Sequence, residues 1–521
     1  MRNWHSLYEV LQFPIGVLFA AMFLLGLGNL LSNPAFSSLL SIHNTIILAL
    51  AEAMMRIGSF LVTNYPLLFL IRLVTRKAGS ATSIISALSG YVTYLVMTMC
   101  FAPGSLPSTA YSSILGLSTA SVNVVGATGG VRYPLQTGVF AAAIVSALTL
   151  WCFSRSRHHS EYGLFSFISK DVWCVIQTVL VCMLAGAAMA FVWPYVIRVL
   201  QSQIRFISTD TTNPMNLMMY GILDRVTSVL NLNAVLRNPF WYGVSGGSWI
   251  SMAGANLIGD VTIWTAQLSS SNLNGMAGRF ITPYYVLNIF ALPGMLWGMF
   301  SIRTDKVDRR RMLMFYIVAT LISMFAGVIL PLELTLVLLC PLLFAMHLLC
   351  TGIFFGVFQA MHVYLGFNYT GSGTMAVMPG TLPEFLTYLA NPHLRRATMT
   401  VALIGACSFV LYFFMTRLYF RYLALDLFHV GDRQRLVNGT IEAVGGVSNI
   451  KMTQSSQTRL VVSLYDPTKL NAARLRQLGS VRVYETKAGY AISYGSASTM
   501  VRMGISQAIR NTIRPGTTRQ G

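Results

Sequence analysis

The sequence predicts a mostly α-helical polytopic membrane protein with about ten transmembrane helices, re-entrant segments and a small C-terminal α+β domain. Three observations predict this class. Apolar residues make up 55 % of the 521 residues and charged residues only 10 %, whereas soluble domains have about 25 % charged residues. Apolar runs close to the roughly 20 residues that cross a bilayer recur along the chain. After Leu427 they give way to short amphipathic and strand-like patterns.

The apolar runs place the predicted spans. The run over 11–31 is longer than the core of a cleaved signal peptide, about 7–15 residues, so we interpret it as a first membrane helix. The further runs are 45–74, 81–101, 133–153, 172–200, 282–301, 312–330, 334–363 and 399–424. We expect the longest of them to be tilted, kinked or broken helices.

Two mixed stretches, 105–130 and 205–280, are apolar but rich in Gly, Ser, Asn and Thr. Irregular backbone at membrane depth persists only where it is buried in protein or lines a wet cavity. These stretches are therefore candidates for re-entrant segments around a transport site. The alternative is that they are ordinary surface loops.

The positive charge of the chain predicts its topology. Lys and Arg number 36 against 16 Asp and Glu, a net charge of +20. Loops that are rich in Lys and Arg stay in the cytoplasm. The basic clusters at 72–77, 155–159, 303–311 and 395–396 place the N-terminus and the C-terminal domain inside the cell.

The residues after the last apolar run predict a small soluble domain. We divide the chain into a membrane domain over 1–427, a soluble α+β domain over 428–510 and a basic tail over 511–521. The soluble domain and its tail have a basic surplus that suits the anionic cytoplasmic leaflet. Nucleic acid is not expected as a partner, because no stacking aromatics interleave the basic residues. The predicted elements are helices over 432–444, 466–478 and 497–509, a strand over 458–464, and a hairpin of 481–485 with 490–494.

Several segments, in order, resemble the glucose-family permeases of the bacterial sugar phosphotransferase system, in which a membrane EIIC domain is fused to a soluble EIIB domain. In the soluble domain, Gly445-Gly446-x-x-Asn449-Ile450 followed by Ser455-Ser456-x-Thr458-Arg459-Leu460 is similar to the EIIB pattern. The matching membrane segments are Asn64-Tyr65-Pro66, Gly278-Arg279-Phe280, Leu292-Pro293-Gly294, Pro331-x-Glu333 and the run from Pro341 to His347.

The resemblance implies a sugar permease of the bacterial cytoplasmic (inner) membrane, dimeric through its membrane domain. In EIIB a cysteine accepts a phosphoryl group and passes it to the sugar. Here Ser456 stands at that position, and Val461 replaces an arginine. A serine hydroxyl needs an adjacent base to act as a nucleophile. We therefore predict no catalytic residue in the soluble domain and interpret Ser456 as a loop serine; the alternative is a new nucleophile.

The resemblance also implies where a sugar would bind, and there the family residues are eroded. Leu330 stands at the position of a sugar-site glutamate, and a Gly-Leu-His-His motif is replaced over 231–234. Buried ionisable groups in a membrane must be paired and are functional candidates. They could instead be a structural ion pair that closes the old cavity. The predicted substrate-binding residues are Asp224, Arg225, Asn231, Asn233 and Glu333.

Other polar residues have simpler interpretations. We interpret His347 and His362 as core histidines, and Glu52 with Arg56 as a local i,i+4 pair. The seven cysteines show no metal-ligand spacing, so no metal or other cofactor is expected.

Two functions follow. The first is a sugar permease of the glucose, maltose and N-acetylglucosamine superfamily that does not phosphorylate its substrate through its own soluble domain. The alternative is a non-transporting membrane sensor or regulatory scaffold on the same fold. The expected partners are a sugar ligand, membrane lipid, a second copy of the chain, and a cytoplasmic protein docked on the EIIB-like domain.

Overall fold

The computed structural model describes residues 2–32, 44–104, 106–117, 133–156, 169–252, 254–270, 277–302, 306–327, 329–368, 379–420, 433–455, 459–478, 480, 482–486 and 488–513. Its first part is helical. The helices of that part are α1 (Arg2–Ser32), α2 (Thr45–Thr63), α3 (Tyr65–Lys77), α4 (Ala81–Phe101), α5 (Val139–Ser156), α6 (Lys170–Thr209), α7 (Pro214–Val229), α8 (Asn233–Trp241), α9 (Asp260–Ser269), α10 (Thr282–Val286), α11 (Leu292–Ser301), α12 (Lys306–Ala326), α13 (Leu330–Leu339), α14 (Pro341–Ala360), α15 (Leu382–Ala390) and α16 (Arg395–Leu418).

Seven of the described helices are long and apolar enough to cross a membrane: α2, α4, α5, α6, α14, α16 and the part of α1 over Val10–Ser32. The mostly helical membrane class is therefore confirmed. The number of about ten spans stays a prediction.

The long apolar run over 45–74 is broken at Asn64, as expected for the longest runs. Asn64 ends α2, and α3 begins at Tyr65 with Pro66 in its first turn. Proline lacks an N–H and suits only the start of a helix, so the second helix starts afresh. The Asn64 side chain covers the joint: its amide donates to the Phe60 carbonyl, and its oxygen accepts the Leu115 N–H.

The run over 334–363 is broken in the same way, between α13 and α14 at Pro341. The run over 282–301 stays helical but contains a π-helical stretch, Leu287–Ala291, which ends two residues before Pro293. A π-bulge takes up the hydrogen-bonding mismatch that an interior proline creates. The π-helical stretch lies beside the start of α13, which carries Glu333, because the Asn288 side chain donates to the Gly327 carbonyl.

The mixed stretch over 205–280 is largely regular. Helix α6 continues through it to Thr209, which makes α6 40 residues long. At 1.5 Å per residue this is about 60 Å, twice a typical hydrocarbon thickness. Helices α7, α8 and α9 follow, with an antiparallel hairpin of β1 (Ser248–Ile250) and β2 (Asn256–Ile258) between the last two.

The C-terminal region forms its own α+β unit with a separate hydrophobic core. Four antiparallel strands lie in the order β3-β4-β6-β5, and the sheet packs on the last helix of the unit, which in turn packs against the first helix. Its elements are α17 (Arg433–Ala443), β3 (Ile450–Ser455), β4 (Leu460–Leu464), α18 (Ala472–Gln477), β5 (Val483–Thr486), β6 (Gly489–Ile492) and α19 (Ser498–Ile513).

The hairpin prediction for this unit is confirmed, since β5 and β6 pair from Val483 with Ile492 to Thr486 with Gly489. The single helix predicted over 466–478 is wrong. Asp466 accepts the Thr468 N–H and opens only a 3-10 turn, Pro467–Lys469. The helix begins later, where the Asn471 side chain accepts the Arg474 N–H.

The backbone conformation of the turn after α17 explains the two glycines of the EIIB-like pattern. Gly445 and Gly446 have φ angles of 91° and 92°, in the region that only glycine adopts readily. The sharp turn brings Asn449 to the centre of the unit, where its amide donates to the Val444 and Asp466 carbonyls. Its oxygen accepts the Asp466 N–H.

Three other sequence interpretations can be compared with the structure. Glu52 and Arg56 form the expected pair, with 2.5 Å between their oxygen and nitrogen atoms. His347 is fully buried, as predicted. His362 is exposed, so its interpretation as a core histidine is wrong; it lies just after α14 with a φ of 52°. Ser456 lies outside the described residues.

Candidate functional site

A cavity of about 170 Å³ with a partly polar wall lies where the α2–α3 joint, the α7–α8 connection and the start of α13 meet. Its wall includes side chains from parts of the chain that are far apart in sequence. The lining residues are Val62, Thr63, Ser112, Gln136, Arg225, Ser228, Asn231, Asn233, Ala234, Arg237, Asn238, Trp241, Tyr242, Tyr284, Gly327, Ile329, Leu330 and Glu333.

The connection between α7 and α8 is held from two sides. Asn231 has a φ of 59°, a left-handed conformation that asparagine tolerates better than most residues. Its amide donates to the Thr63 carbonyl at 3.0 Å, and its carbonyl accepts from the Gln136 amide at 2.9 Å. Two residues before Asn231, the Val229 carbonyl accepts a hydrogen bond from the Tyr65 hydroxyl at 2.6 Å. These bonds fix the cavity wall to the α2–α3 joint.

Behind this wall, Asp224 is the centre of a buried ion-pair network. It is fully buried, and its carboxylate pairs with Arg225 and with Arg237. The Arg237 Nε–Oδ1 distance is 2.5 Å, and the same guanidinium also donates to the Ser228 hydroxyl at 2.9 Å. The Tyr284 hydroxyl donates to Oδ2 of Asp224 at 2.6 Å. A buried charge with this many donors is compensated as such sites require.

Glu333 extends the network to the cavity wall. Its Oε1 accepts from Nη1 of Arg225 at 3.2 Å and lies 3.3 Å from Nε2 of His347. The other ring nitrogen of His347 lies 2.9 Å from the Tyr412 hydroxyl. Within the described part of the chain, Oε2 of Glu333 is buried and has no hydrogen-bond partner. Glu333 thus presents an acceptor whose partner could be a ligand.

The aromatic faces near the cavity are occupied by the same arginines. The guanidinium carbon of Arg225 lies 4.9 Å from the centre of the Tyr284 ring, and that of Arg237 lies 5.5 Å from it. Arg237 also lies 5.1 Å from the Trp241 ring. These cation–π contacts stiffen the two arginines. Because the arginines cover these ring faces, a ligand in the cavity would contact the polar groups of the wall more than the rings.

The structure places the sequence-predicted residues in two layers. Arg225, Asn231, Asn233 and Glu333 line the cavity. Asp224 lies behind them as an ion-pair partner and is not part of the lining. The ion pairs leave the cavity open, and Leu330 forms part of its apolar wall together with Ile329 and Val62.

Sequence reasoning missed Arg237 and Gln136. Arg237 had a usable signal, since an arginine in an apolar segment needs a partner and Asp224 precedes it by 13 residues. Gln136 had none: a neutral amide in a mixed stretch gives no pattern that marks it as buried.

In the soluble unit, two arginines stack on one tyrosine ring. Arg459 and Arg482 lie 5.8 Å and 5.0 Å from the centre of the Tyr484 ring. Arg459 also donates to Oε1 of Gln12 in α1 at 2.8 Å, which links the soluble unit to the membrane part.

Residues 9–352 match the family model described as phosphotransferase system, EIIC. The match covers well over half of the chain and includes the whole cavity wall, from Val62 to Glu333.

Proposed function

The chain belongs to the EIIC family of the phosphotransferase system, and we propose that it is a glucose-family permease that does not phosphorylate sugar through its own soluble domain. The family match and the apolar helices make the protein a multi-pass membrane protein and a phosphotransferase-system sugar permease. The glucose-family assignment, the EIIB identity of the soluble unit and the loss of phosphorylation are the proposed parts.

The open polar cavity carries the proposal that sugar still binds. Its wall offers a carboxylate acceptor on Glu333, a guanidinium on Arg225 and amides on Asn231 and Asn233. Sugar hydroxyls both donate and accept, so they can pair with each of these groups. The opposite signs of Arg225 and Glu333 cancel, which favours a neutral ligand over an anionic one.

The apolar wall predicts that this binding is weakened. Leu330 stands where the family resemblance implies a glutamate, and Asn233 stands where it implies a histidine. A sugar hydroxyl that is buried against Leu330 without a partner loses about 1–3 kcal/mol, or roughly 5- to 150-fold in affinity. Asn233 can still donate and accept hydrogen bonds.

The soluble unit supports the second part of the proposal. Its Gly-Gly turn and Asn449 contacts fit the EIIB-like pattern, whereas Ser456 and Val461 remove the thiol and one arginine. A hydroxyl without an adjacent base is not a phosphoryl acceptor at neutral pH. The unit is then a docking surface for a cytoplasmic protein, and another EIIB would have to act in its place.

The proposed setting is the bacterial cytoplasmic membrane, with the soluble unit in the cytoplasm and the membrane domain as a homodimer. The basic clusters between apolar runs support this topology. One observation favours the alternative role of a sensor or regulatory scaffold: the hydrogen bond from Arg459 to Gln12 ties the soluble unit to α1. Such a contact gives a cytoplasmic domain a route to respond to the membrane part.

The loss of phosphorylation is tested with labelled phosphate. The full-length protein is incubated with phosphoenolpyruvate and the general phosphotransferase proteins, and peptides from residues 430–521 are analysed. We expect no stable label on them, whereas Ser456→Cys with Val461→Arg is expected to regain label. Stable label on the wild-type peptides would refute this part.

The proposed sugar site is tested by restoring the residues that the family resemblance implies. Leu330→Glu and Asn233→His are introduced singly and together, and the purified proteins are titrated with glucose, maltose and N-acetylglucosamine. We expect the double variant to bind at least one sugar more tightly than wild type. Equal or weaker binding by all variants would argue against sugar binding at this wall.

A further inference from the structure

Gln136 lies in the cavity wall with one of its polar atoms unused. Its side chain is buried, with only 5 % of the residue exposed. Its Nε2 donates to the Asn231 carbonyl at 2.9 Å. Because only the nitrogen end can donate to a carbonyl, this bond fixes the amide orientation and turns Oε1 away from Asn231. In the part of the chain that the structure describes, Oε1 is buried and has no partner.

The backbone around Gln136 holds this orientation firmly. The Gln136 N–H donates to the Ala110 carbonyl at 2.9 Å, and Leu135 is paired with Tyr111 in a β-bridge. On the other side, the Val139 N–H donates to the Leu230 carbonyl at 3.1 Å. A side chain that is anchored at its backbone and at its Nε2 atom has little freedom to find another partner for Oε1. It is pre-organised in the sense that binding sites require.

Glu333 has the same feature in the same cavity, since its Oε2 is also buried without a partner. Other buried side-chain atoms of the described residues also lack a partner, but among the residues that line the cavity only Gln136 and Glu333 have such an atom. Two such acceptors in one wall, contributed by segments about two hundred residues apart, have a shared explanation in a ligand with two donor groups. The surrounding arginines are neutralised by Asp224 and Glu333.

From this juxtaposition we propose that Gln136 is a ligand-contacting residue, whose Oε1 accepts a hydroxyl of a neutral sugar while Oε2 of Glu333 accepts another. The inference rests on the proposed function and adds a specificity-determining residue to it. Both atoms accept only, so a ligand that places a phosphate or carboxylate oxygen against either one is disfavoured. The free sugar is the substrate, and its phosphate ester is not.

The test pairs a change in the protein with a change in the ligand. Wild type, Gln136→Leu and Gln136→Met are titrated with the best-bound of glucose, maltose and N-acetylglucosamine, and with its monodeoxy derivatives. Wild type should bind one derivative roughly 5- to 150-fold more weakly than the parent sugar, because that derivative lacks the hydroxyl that donates to Oε1 of Gln136. In both Gln136 variants, the parent and that derivative should bind with nearly equal affinity.

Tyr65→Phe is the matched control. It removes another anchor of the α7–α8 connection, the bond to the Val229 carbonyl, but Tyr65 does not line the cavity. We expect it to weaken all the sugars similarly and to keep the discrimination.

The inference is overturned if both Gln136 variants keep the full discrimination at every deoxy position. If the wild type binds none of these sugars, the proposed function fails, and this inference fails with it. These two failures are distinguishable because the first leaves sugar binding intact.

Discussion

At the scale of single residues, Asp224 has the greatest effect on the site although it does not line the cavity. Its two oxygens receive donors from Arg225, Arg237 and Tyr284. Removing one partner of a buried ion pair leaves the remaining charge without compensation, at a cost of about 3–5 kcal/mol. Asp224 is therefore a residue that orients the arginines and keeps the cavity wall electrically balanced.

We expect Asp224→Ala to destabilise the protein by about 3–5 kcal/mol, because two buried guanidinium groups lose their shared partner. Chemical unfolding in detergent measures the change. Glu52→Ala is the matched control, since it removes an ion pair whose two side chains are exposed and should cost under about 1 kcal/mol. Equal losses in the two variants would contradict the account of the network.

The residues of the site differ in how well the sequence predicts them. Asp224, Arg225 and Glu333 were identified because ionisable side chains in apolar runs must be paired. Gln136 was not identified, since its burial depends on the contact between the 134–139 segment and the α7–α8 connection. That contact joins parts of the chain about a hundred residues apart, and no local pattern indicates it.

At the scale of elements, Gly138 is where the segment bearing Gln136 meets the α7–α8 connection. Its φ is 55°, and an added Cβ atom would lie 2.0 Å from the Leu230 carbonyl oxygen. Any side chain there must push the two segments apart. The position therefore controls both the backbone bond from Val139 and the placement of Gln136.

We expect Gly138→Ala to weaken sugar binding and to lower stability by more than backbone strain alone. Gly116→Ala is the matched control: its φ is 75°, but nothing lies within 4 Å of an added Cβ atom. That control should lose only about 1–2 kcal/mol for the left-handed conformation. Melting temperatures and sugar titrations of both variants provide the comparison, and identical behaviour would refute the role of the close contact.

In the soluble unit, Tyr494 lies two residues after β6 and is joined to α17 by a 2.9 Å hydrogen bond with Thr440. Burial raises the pKa of Tyr494 to about 12, whereas a tyrosine in the unfolded chain has a pKa of about 10. The folded state then holds its proton more tightly, so stability is fully present below pH 10 and falls as pH rises towards 12.

We expect the unfolding free energy of a fragment over 433–513 to fall by up to about 1.4 kcal/mol per pH unit between pH 10 and 12 because of this group. Urea unfolding at several pH values measures the slope. The unfolding free energy of Tyr494→Phe should depend less steeply on pH over the same range, since phenylalanine cannot titrate. A slope that is unchanged in this variant would show that Tyr494 is not responsible.

The elements of the soluble unit were only partly predictable. The β5–β6 hairpin was clear from its two short runs around a glycine. Strand β3 was missed because Lys-Met-Thr-Gln lacks alternation of apolar and polar residues; its residues after Ile450 are at least partly exposed. The helix predicted from 466 failed because two successive side-chain caps, on Asp466 and Asn471, divide the segment.

At the scale of the whole molecule, the sequence predicted the membrane class well because apolar length is a strong signal. It predicted the site less well, because the cavity depends on where broken helices meet. The α2–α3 joint at Asn64, the α7–α8 connection and the start of α13 meet at this cavity. Irregular backbone at membrane depth is tolerated where it lines a cavity, and here side chains at these joints supply the polar part of the wall.

The central claim is that this permease binds a neutral sugar at the wall formed by Arg225 and Glu333. Its most direct test is a titration of purified wild type, Glu333→Gln and Glu384→Gln with glucose, maltose and N-acetylglucosamine. Glu384 is the matched control: it is also buried and bonded to Asn368 and Tyr388, but it does not line the cavity.

We expect wild type to bind at least one of the sugars and Glu384→Gln to bind it with similar affinity. Glu333→Gln should bind it roughly 10- to 150-fold more weakly, because a hydrogen bond to a charged acceptor is lost. Sugar binding that is unchanged in Glu333→Gln, or equally reduced in both variants, would contradict the placement of the site.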